Sequence, residues 1–105
     1  MFVQLFSGWR YRDGARERIA AMDLGGRPTH VMRPDVPGLL ARLLATESDD
    51  PGTGIGVWVW EDEAACRAYE ASRPAEVNAR LAAELDESEM TEQTFEALAF
   101  TVRPD

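Results

Sequence analysis

The segment 54–60 constrains the fold of this chain most, because it is apolar on both faces that a β-strand presents. It reads Gly-Ile-Gly-Val-Trp-Val-Trp, so three aliphatic side chains alternate with two tryptophans. Successive side chains of a strand point to opposite faces. At about 25 cal/mol per Å² and about 150–250 Å² for each tryptophan, exposing both would cost roughly 7–12 kcal/mol, comparable to the net stability of a domain. Both faces of the predicted sheet must therefore be covered.

The order of the remaining elements predicts an α+β fold in one domain spanning residues 1–105. Strands are predicted at 2–11, 38–46, 54–60 and 92–103, and helices at 14–24, from 61–63 to 72, and from 74 onward. This order is that of a ferredoxin-like split β-α-β arrangement with an antiparallel four-stranded sheet. Helices cover only one face of such a sheet, so we expect a homodimer to cover the other.

Local patterns predict further details of these elements. Pro51-Gly52 suits the centre of a type II turn between two strands, and Asp62 suits a helix N-cap. Period-two alternation places one set of first-strand residues on a common face: Val3, Leu5, Ser7, Trp9 and Tyr11. Helical spacing gives the last helix a stripe of Val77, Leu81 and Leu85.

Charge and composition exclude several classes of function. The net charge is −8, and residues 47–105 alone carry −11, which argues against nucleic acid and anionic membrane surfaces as partners. The single cysteine, Cys66, makes no intrachain disulfide, and no cluster of ligands predicts a metal. No apolar run approaches the roughly 20 residues of a membrane helix. The first residues lack a signal-peptide pattern, so a cytoplasmic protein is expected.

The stretch from Gly54 to Ala65 resembles the antibiotic biosynthesis monooxygenase family. It is an apolar strand ending in Trp60-Glu61, followed by an acid and an alanine-rich helix with Tyr69 at its centre. The resemblance covers nearly the whole chain in element order. It implies a dimeric α+β barrel with a pocket between the sheet and the helices of each subunit.

The resemblance also implies which residues line that pocket. Trp60 would face it together with Gly56 and Trp58, while the aliphatic residues of segment 54–60 face the dimer partner. Quinone-forming members of the family carry an Asn at the position of Gly56 and a Tyr at that of Cys66, so only Trp60 is retained of that set. Haem-degrading members carry an Asn where this chain has Ser7 and a His near Asn78 or Ala79, which disfavours haem degradation here.

The remaining candidate residues each have a functional and a structural interpretation. His30 is the only histidine and could accept a proton from a phenol, or it is a surface residue of a proline-broken connection. Arg33 could hold a phenolate or carboxylate, or be solvated. Tyr69 and the tryptophans could contact a flat ligand or simply pack. We name as candidate catalytic residues His30, Trp60 and Tyr69, and as candidate substrate-binding residues Leu5, Ser7, Trp9, Arg33, Trp58 and Cys66.

The function that the resemblance implies is a monooxygenase that needs neither flavin nor metal. It would act with O₂ on an aromatic or polyketide-like small molecule by deprotonating an electron-rich phenol, so that its contribution is orientation, a dry pocket and a proton acceptor. Two alternatives keep the fold. One is a polyketide cyclase or isomerase in which His30 and Tyr69 move protons, and the other is a non-catalytic ligand-binding homodimer whose interior is filled by Trp58 and Trp60.

Overall fold

The computed structural model describes residues 1–18, 36–73 and 75–101, and these form one curled antiparallel sheet with a helix packed against one face. The elements are β1 (Phe2–Tyr11), β2 (Leu39–Thr46), β3 (Thr53–Trp60), α1 (Glu63–Ser72), α2 (Ala75–Glu84), β4 (Leu85–Asp86) and β5 (Thr91–Glu96). Residues 15–18 are also helical, and the rest of the helix predicted at 14–24 lies outside the described residues. Within the described ranges, no helix is long and apolar enough to cross a membrane.

The sheet has the strand order of the predicted ferredoxin-like fold. β2 pairs with β3 and β3 with β1, and the far edge of β1 pairs with both β4 and β5. The α+β prediction is therefore confirmed, with one difference. The predicted fourth strand is two short strands that divide the length of β1 between them, and β4 lies in the acidic stretch for which no strand was predicted.

The register of the ladders assigns each side chain to one of two faces. The helix-side face, against which α1 packs, holds Leu39, Arg42, Leu44, Gly54, Gly56, Trp58, Trp60, Phe2, Gln4, Phe6 and Trp9. The open face holds Ala41, Leu43, Ala45, Ile55, Val57, Val59, Val3, Leu5, Ser7, Thr91, Gln93 and Phe95. β3 is thus apolar on both faces, as its sequence predicts.

A β-bulge in β1 corrects the predicted faces of that strand. Ser7 pairs with Ile55 but Trp9 pairs with Gly54, so the register shifts by one residue at Gly8. Gly8 has a φ of +89°, and a side chain there would collide with the carbonyl oxygen of Glu89. Leu5 and Ser7 therefore lie on the open face while Trp9 crosses to the helix-side face, and the prediction that all three share one face is wrong.

The turn between β2 and β3 is not the predicted type II turn. The amide of Thr53 donates to the carbonyl of Asp50 at 2.9 Å, which closes a four-residue turn. A type II turn needs a positive φ at Gly52, and Gly52 is not among the described glycines that have one. The Asp50 carboxylate instead accepts from the Thr53 hydroxyl at 2.7 Å and from the Arg10 guanidinium at 2.9 Å. These contacts hold the pKa of Asp50 below its usual value.

The helix ends agree with prediction at α1 and differ at α2. Asp62 is the N-cap of α1, and its carboxylate accepts from the amide of Ala65 at 2.8 Å. α2 ends at Glu84, so Leu85 belongs to β4 and pairs with Tyr11 instead of continuing a helical stripe. The side chain of Val77 lies outside the described residues.

The last strand is shorter than predicted. β5 ends at Glu96, which pairs with Phe2, and the amide of Ala97 still reaches the carbonyl of Met1 at 2.9 Å. The described residues beyond it are not in a strand, and Leu98 is 97% exposed. The prediction of a strand through residue 103 is therefore wrong over the described part after residue 96.

The close contact between Gly38 and helix α1 makes this glycine a test of the fold. Its φ is +80°, and an added Cβ would overlap the Cβ of Ala65. We predict that Gly38→Ala lowers the free energy of unfolding by at least about 1–2 kcal/mol in urea denaturation, because an L side chain strains this conformation. The matched variant Gly52→Ala meets only the flexible end of Arg10 and should change stability little. Equal effects of the two variants would contradict this account.

Candidate active site

Three of the sequence-predicted residues meet on the helix-side face. Trp58 and Trp60 stack with ring centroids 5.9 Å apart and planes 10° apart. Tyr69, on the inward side of α1, lies 6.0 Å from Trp58 and 5.6 Å from Trp60. Trp60 is only 1% exposed, so its indole contacts these protein rings. The cluster joins α1 to the sheet.

A buried glutamine holds this cluster in place, and the sequence analysis did not identify it. Gln4 is 2% exposed, and its Oε1 accepts from Nε1 of Trp60 at 2.9 Å. Its Nε2 donates to Glu92 at 3.2 Å and to Glu70 at 3.3 Å. The amide thus connects a buried indole to carboxylates on β5 and α1. The available signal was a polar residue that shares one face of β1 with Phe2 and Phe6.

Cys66 lies on the inward side of α1 and is fully buried. Burial is the main cause that raises the pKa of its thiol to about 11, and the negative charge of Glu70 adds to it. The thiol is therefore protonated at neutral pH and is not an activated nucleophile. It packs in the core with Leu39 and Trp60.

Arg42 brings a positive charge to the helix-side face, whereas the sequence analysis named Arg33 as the candidate cation. It is opposite Trp58 in the β2–β3 ladder, and its guanidinium lies 5.4 Å from the centroid of the Trp58 ring. At this distance a cation is attracted to the face of an indole. The signal that could have found it is its position in β2, two residues before Leu44 and therefore on the same face.

Trp9 occupies the other end of the helix-side face. Its indole lies over Gly54 and Gly56, and a Cβ at either position would collide with the ring. The side chain is 5% exposed, and its Nε1 has no hydrogen-bond acceptor among the described residues. A buried N–H without an acceptor carries a penalty of about 1–3 kcal/mol.

Tyr11 stands edge-on to Trp9, with centroids 6.1 Å apart and planes at 86°. Its hydroxyl donates to the carbonyl of Ala45 at 3.2 Å. Burial raises the pKa of Tyr11, while the nearby indole N–H of Trp9 and the charge of Arg16 oppose that rise. The indole N–H is therefore close enough to influence the phenol, although the two groups lack the geometry of a hydrogen bond.

Of the other predicted site residues, two lie on the opposite face of the sheet and two lie outside the described residues. His30 and Arg33 lie outside the described residues. Leu5 and Ser7 are on the open face, where the Ser7 hydroxyl lies 3.2 Å from that of Thr91. In the described part of the chain, no group of three or more His, Cys, Asp or Glu residues could hold a metal ion.

An open groove of about 440 Å³ lies at the end of the sheet where β1 begins. It is lined by Met1, Phe2, Glu61, Asp62, Glu63, Thr94, Phe95 and Glu96. None of the candidate catalytic or substrate-binding residues lines it. The groove therefore includes the ring of Phe2 but none of Trp9, Trp58, Trp60 and Tyr69.

Solved structures share this architecture over almost the whole chain. A protein from Deinococcus radiodurans, provisionally named an antibiotic biosynthesis monooxygenase, matches with a TM-score of 0.65 at 13% identity, over 99% of this chain and all of that one. SnoaB, a cofactor-independent oxygenase from Streptomyces nogalater, matches with a TM-score of 0.59 at 19% identity, over 94% of this chain and 95% of that one. The chain has the fold of the antibiotic biosynthesis monooxygenase structures. The predicted resemblance is thereby confirmed at the level of the fold.

A third likeness comes from Nitrosomonas europaea, again to a protein provisionally named an antibiotic biosynthesis monooxygenase. Its TM-score is 0.67 at 13% identity, over 94% of this chain and all of that one. No protein-family model matches the sequence, and no curated protein matches it. The likeness thus lies in three-dimensional structure, and at identities this low it specifies no substrate.

The hydrogen bond between Gln4 and Trp60 can be tested by substitution. We predict that Gln4→Leu lowers the free energy of unfolding by about 1–3 kcal/mol in urea denaturation, because it leaves the buried Trp60 N–H without an acceptor. Asn78→Leu, at an exposed position of α2, is the control and should change stability by less than about 0.5 kcal/mol. A Gln4 variant as stable as the wild type would mean that this amide does not support the cluster.

Proposed function

We propose that this chain is a cytoplasmic, cofactor-independent monooxygenase that oxidises an electron-rich aromatic small molecule with O₂. The observation that carries the proposal is the match over 94% of the chain to SnoaB, which is itself a cofactor-independent oxygenase. The aromatic residues of the helix-side face support it, because indole and phenol rings offer flat apolar surfaces to a ring system. The substrate class is an aromatic or polyketide-like phenol.

Such a reaction needs few titratable groups from the protein. A phenol loses a proton, its anion gives an electron to O₂, and a ring CH₂ becomes a carbonyl while the second oxygen atom leaves as water. The protein must orient the ring, exclude water and accept the first proton. We assign the proton acceptor to His30, the one side chain here with an unperturbed pKa near neutrality.

The described residues give a reason to expect a proton path unlike that of the quinone-forming relatives. The quinone-forming members of the family carry an Asn at the position of Gly56. This chain has no side chain there, and the Trp9 indole occupies the space above it. At Cys66, where they carry a Tyr, this chain has a buried thiol with a raised pKa. Neither position can exchange a proton with a substrate at neutral pH.

A second candidate is a non-catalytic binding protein of the same fold. The observation that favours it is the mutual stacking of Trp58, Trp60 and Tyr69, which uses aromatic surface that a ligand would otherwise contact. The third candidate, a cyclase or isomerase, would use His30 and Tyr69 as proton carriers and consume no O₂. The three candidates differ in a single measurement.

That measurement is O₂ uptake with dithranol, an anthrone-type phenol, in the presence of a metal chelator. We predict that the protein raises O₂ consumption above the protein-free rate and forms one quinone for each O₂. His30→Ala should lower the rate at least about 100-fold, as expected for the loss of a general base. Saturable binding without O₂ uptake would favour the binding protein, and product formed without O₂ uptake would favour the isomerase.

We also propose that the protein is a homodimer formed through the open face of its sheet. Its central residues are uncharged, and Leu43 and Phe95 are 59% and 49% exposed in the single chain, while Arg10 at its margin is paired with Asp50. A two-fold interface buries the same patch on both copies, and a stable one covers about 800 Å² on each. A sheet face with an uncharged centre is suited to a second copy of itself.

Sedimentation velocity tests the dimer. We predict that the wild type sediments as a dimer and that Leu43→Glu, which places a charge in the centre of the open face, sediments as a monomer. Ala68→Glu adds the same charge at an exposed position of α1 and should leave the dimer intact. A monomeric wild type at micromolar concentration would refute the proposed interface.

A further inference from the structure

The indole of Trp9 is held on the helix-side face by a bulge in β1 and by two glycines in β3. The bulge at Gly8 turns it onto that face, and Gly54 and Gly56 leave the space that it fills. Glycine weakens a strand interior, and its presence there commonly marks the close approach of another group. Two positions of β3 therefore lack side chains, and the indole of Trp9 fills the space above them.

The two buried indole N–H groups of this face differ in their hydrogen bonding. That of Trp60 donates to Gln4 at 2.9 Å. That of Trp9 is as deeply buried, yet it meets no acceptor in the part of the chain that the structure describes. The neighbouring Tyr11 directs its own hydroxyl to the carbonyl of Ala45. Trp9 thus offers a buried donor that no described residue accepts from.

We infer that the Nε1–H of Trp9 is the hydrogen-bond donor that positions a carbonyl or phenolic oxygen of the bound small molecule. The inference rests on the proposed function for the aromatic nature of the ligand. An indole N–H can only donate, so the ligand atom must be an acceptor. A buried donor rejects an analogue that lacks this acceptor, because the N–H would then stay unpaired.

The test uses danthron, the quinone formed from dithranol, because it is already oxidised and cannot be turned over. In the isotope-labelled protein, the indole N–H groups of the three tryptophans give separate NMR resonances. Trp58→Phe removes one of them, and Gln4→Leu moves that of Trp60 by removing its acceptor, which leaves the third for Trp9. We expect danthron to shift the Trp9 resonance downfield and to leave that of Trp60 in place.

Affinity gives a second readout. Trp9→Phe keeps an aromatic ring but removes the donor, and it should weaken danthron binding about 5–10-fold. Tyr11→Phe, which alters the neighbouring ring without removing the indole N–H, should leave the affinity within about two-fold. The downfield shift in the wild type supports the inference even if Trp9→Phe does not fold.

The outcomes separate this inference from the proposed function. A shift of the Trp9 resonance without O₂ uptake from dithranol would support the donor and refute the oxygenase. O₂ uptake with an unmoved Trp9 resonance would do the reverse. Binding that is unchanged in a folded Trp9→Phe variant, or no binding of danthron to the wild type, would overturn the inference.

Discussion

The structure depends on one strand that must be covered on both sides. β3 lies between β2 and β1, and it presents two stacked indoles to α1 and three aliphatic side chains to the open face. Burial of this much apolar surface is the main favourable contribution to folding in a chain of this size. The helix can supply only one cover. The fold therefore requires α1 on one side and makes the other side available for association.

The elements were predictable from the sequence because their signals are local and strong. The pattern of β3, the Asp62 cap of α1 and the acidic turn after β2 each depend on residues close together in the chain. The end of β5 was not predictable from the sequence, because it depends on β1, the strand with which β5 pairs. The apolar alternation continues past Glu96, but β1 begins at Phe2, which pairs with Glu96, and the amide of Ala97 makes the last contact of the ladder. Strand length here is fixed by the partner strand.

The candidate site was predictable in its residue types more than in its geometry. Trp58, Trp60 and Tyr69 do converge, as the strand-to-helix pattern indicates. Period-two counting failed for β1 because a single bulge at Gly8 exchanges the faces of all residues beyond it. Gln4 was missed for a related reason. A polar residue in a strand reads as solvent-facing unless its partners are known, and those partners lie on β3, α1 and β5.

The glycines of β3 connect this packing to the chemistry. A side chain at position 56 would place a functional group on the helix-side face, but it would also displace the indole of Trp9. A polar side chain at position 56 of β3 and the indole of Trp9 on β1 thus exclude each other. In this chain the indole, which carries an N–H, takes that space. An amide both donates and accepts, whereas an indole N–H only donates. A site built on Trp9 can hold an oxygen atom in place but cannot remove a proton from it. In the proposed oxygenase the base must therefore be a different residue, so positioning and proton removal would fall to separate parts of the chain.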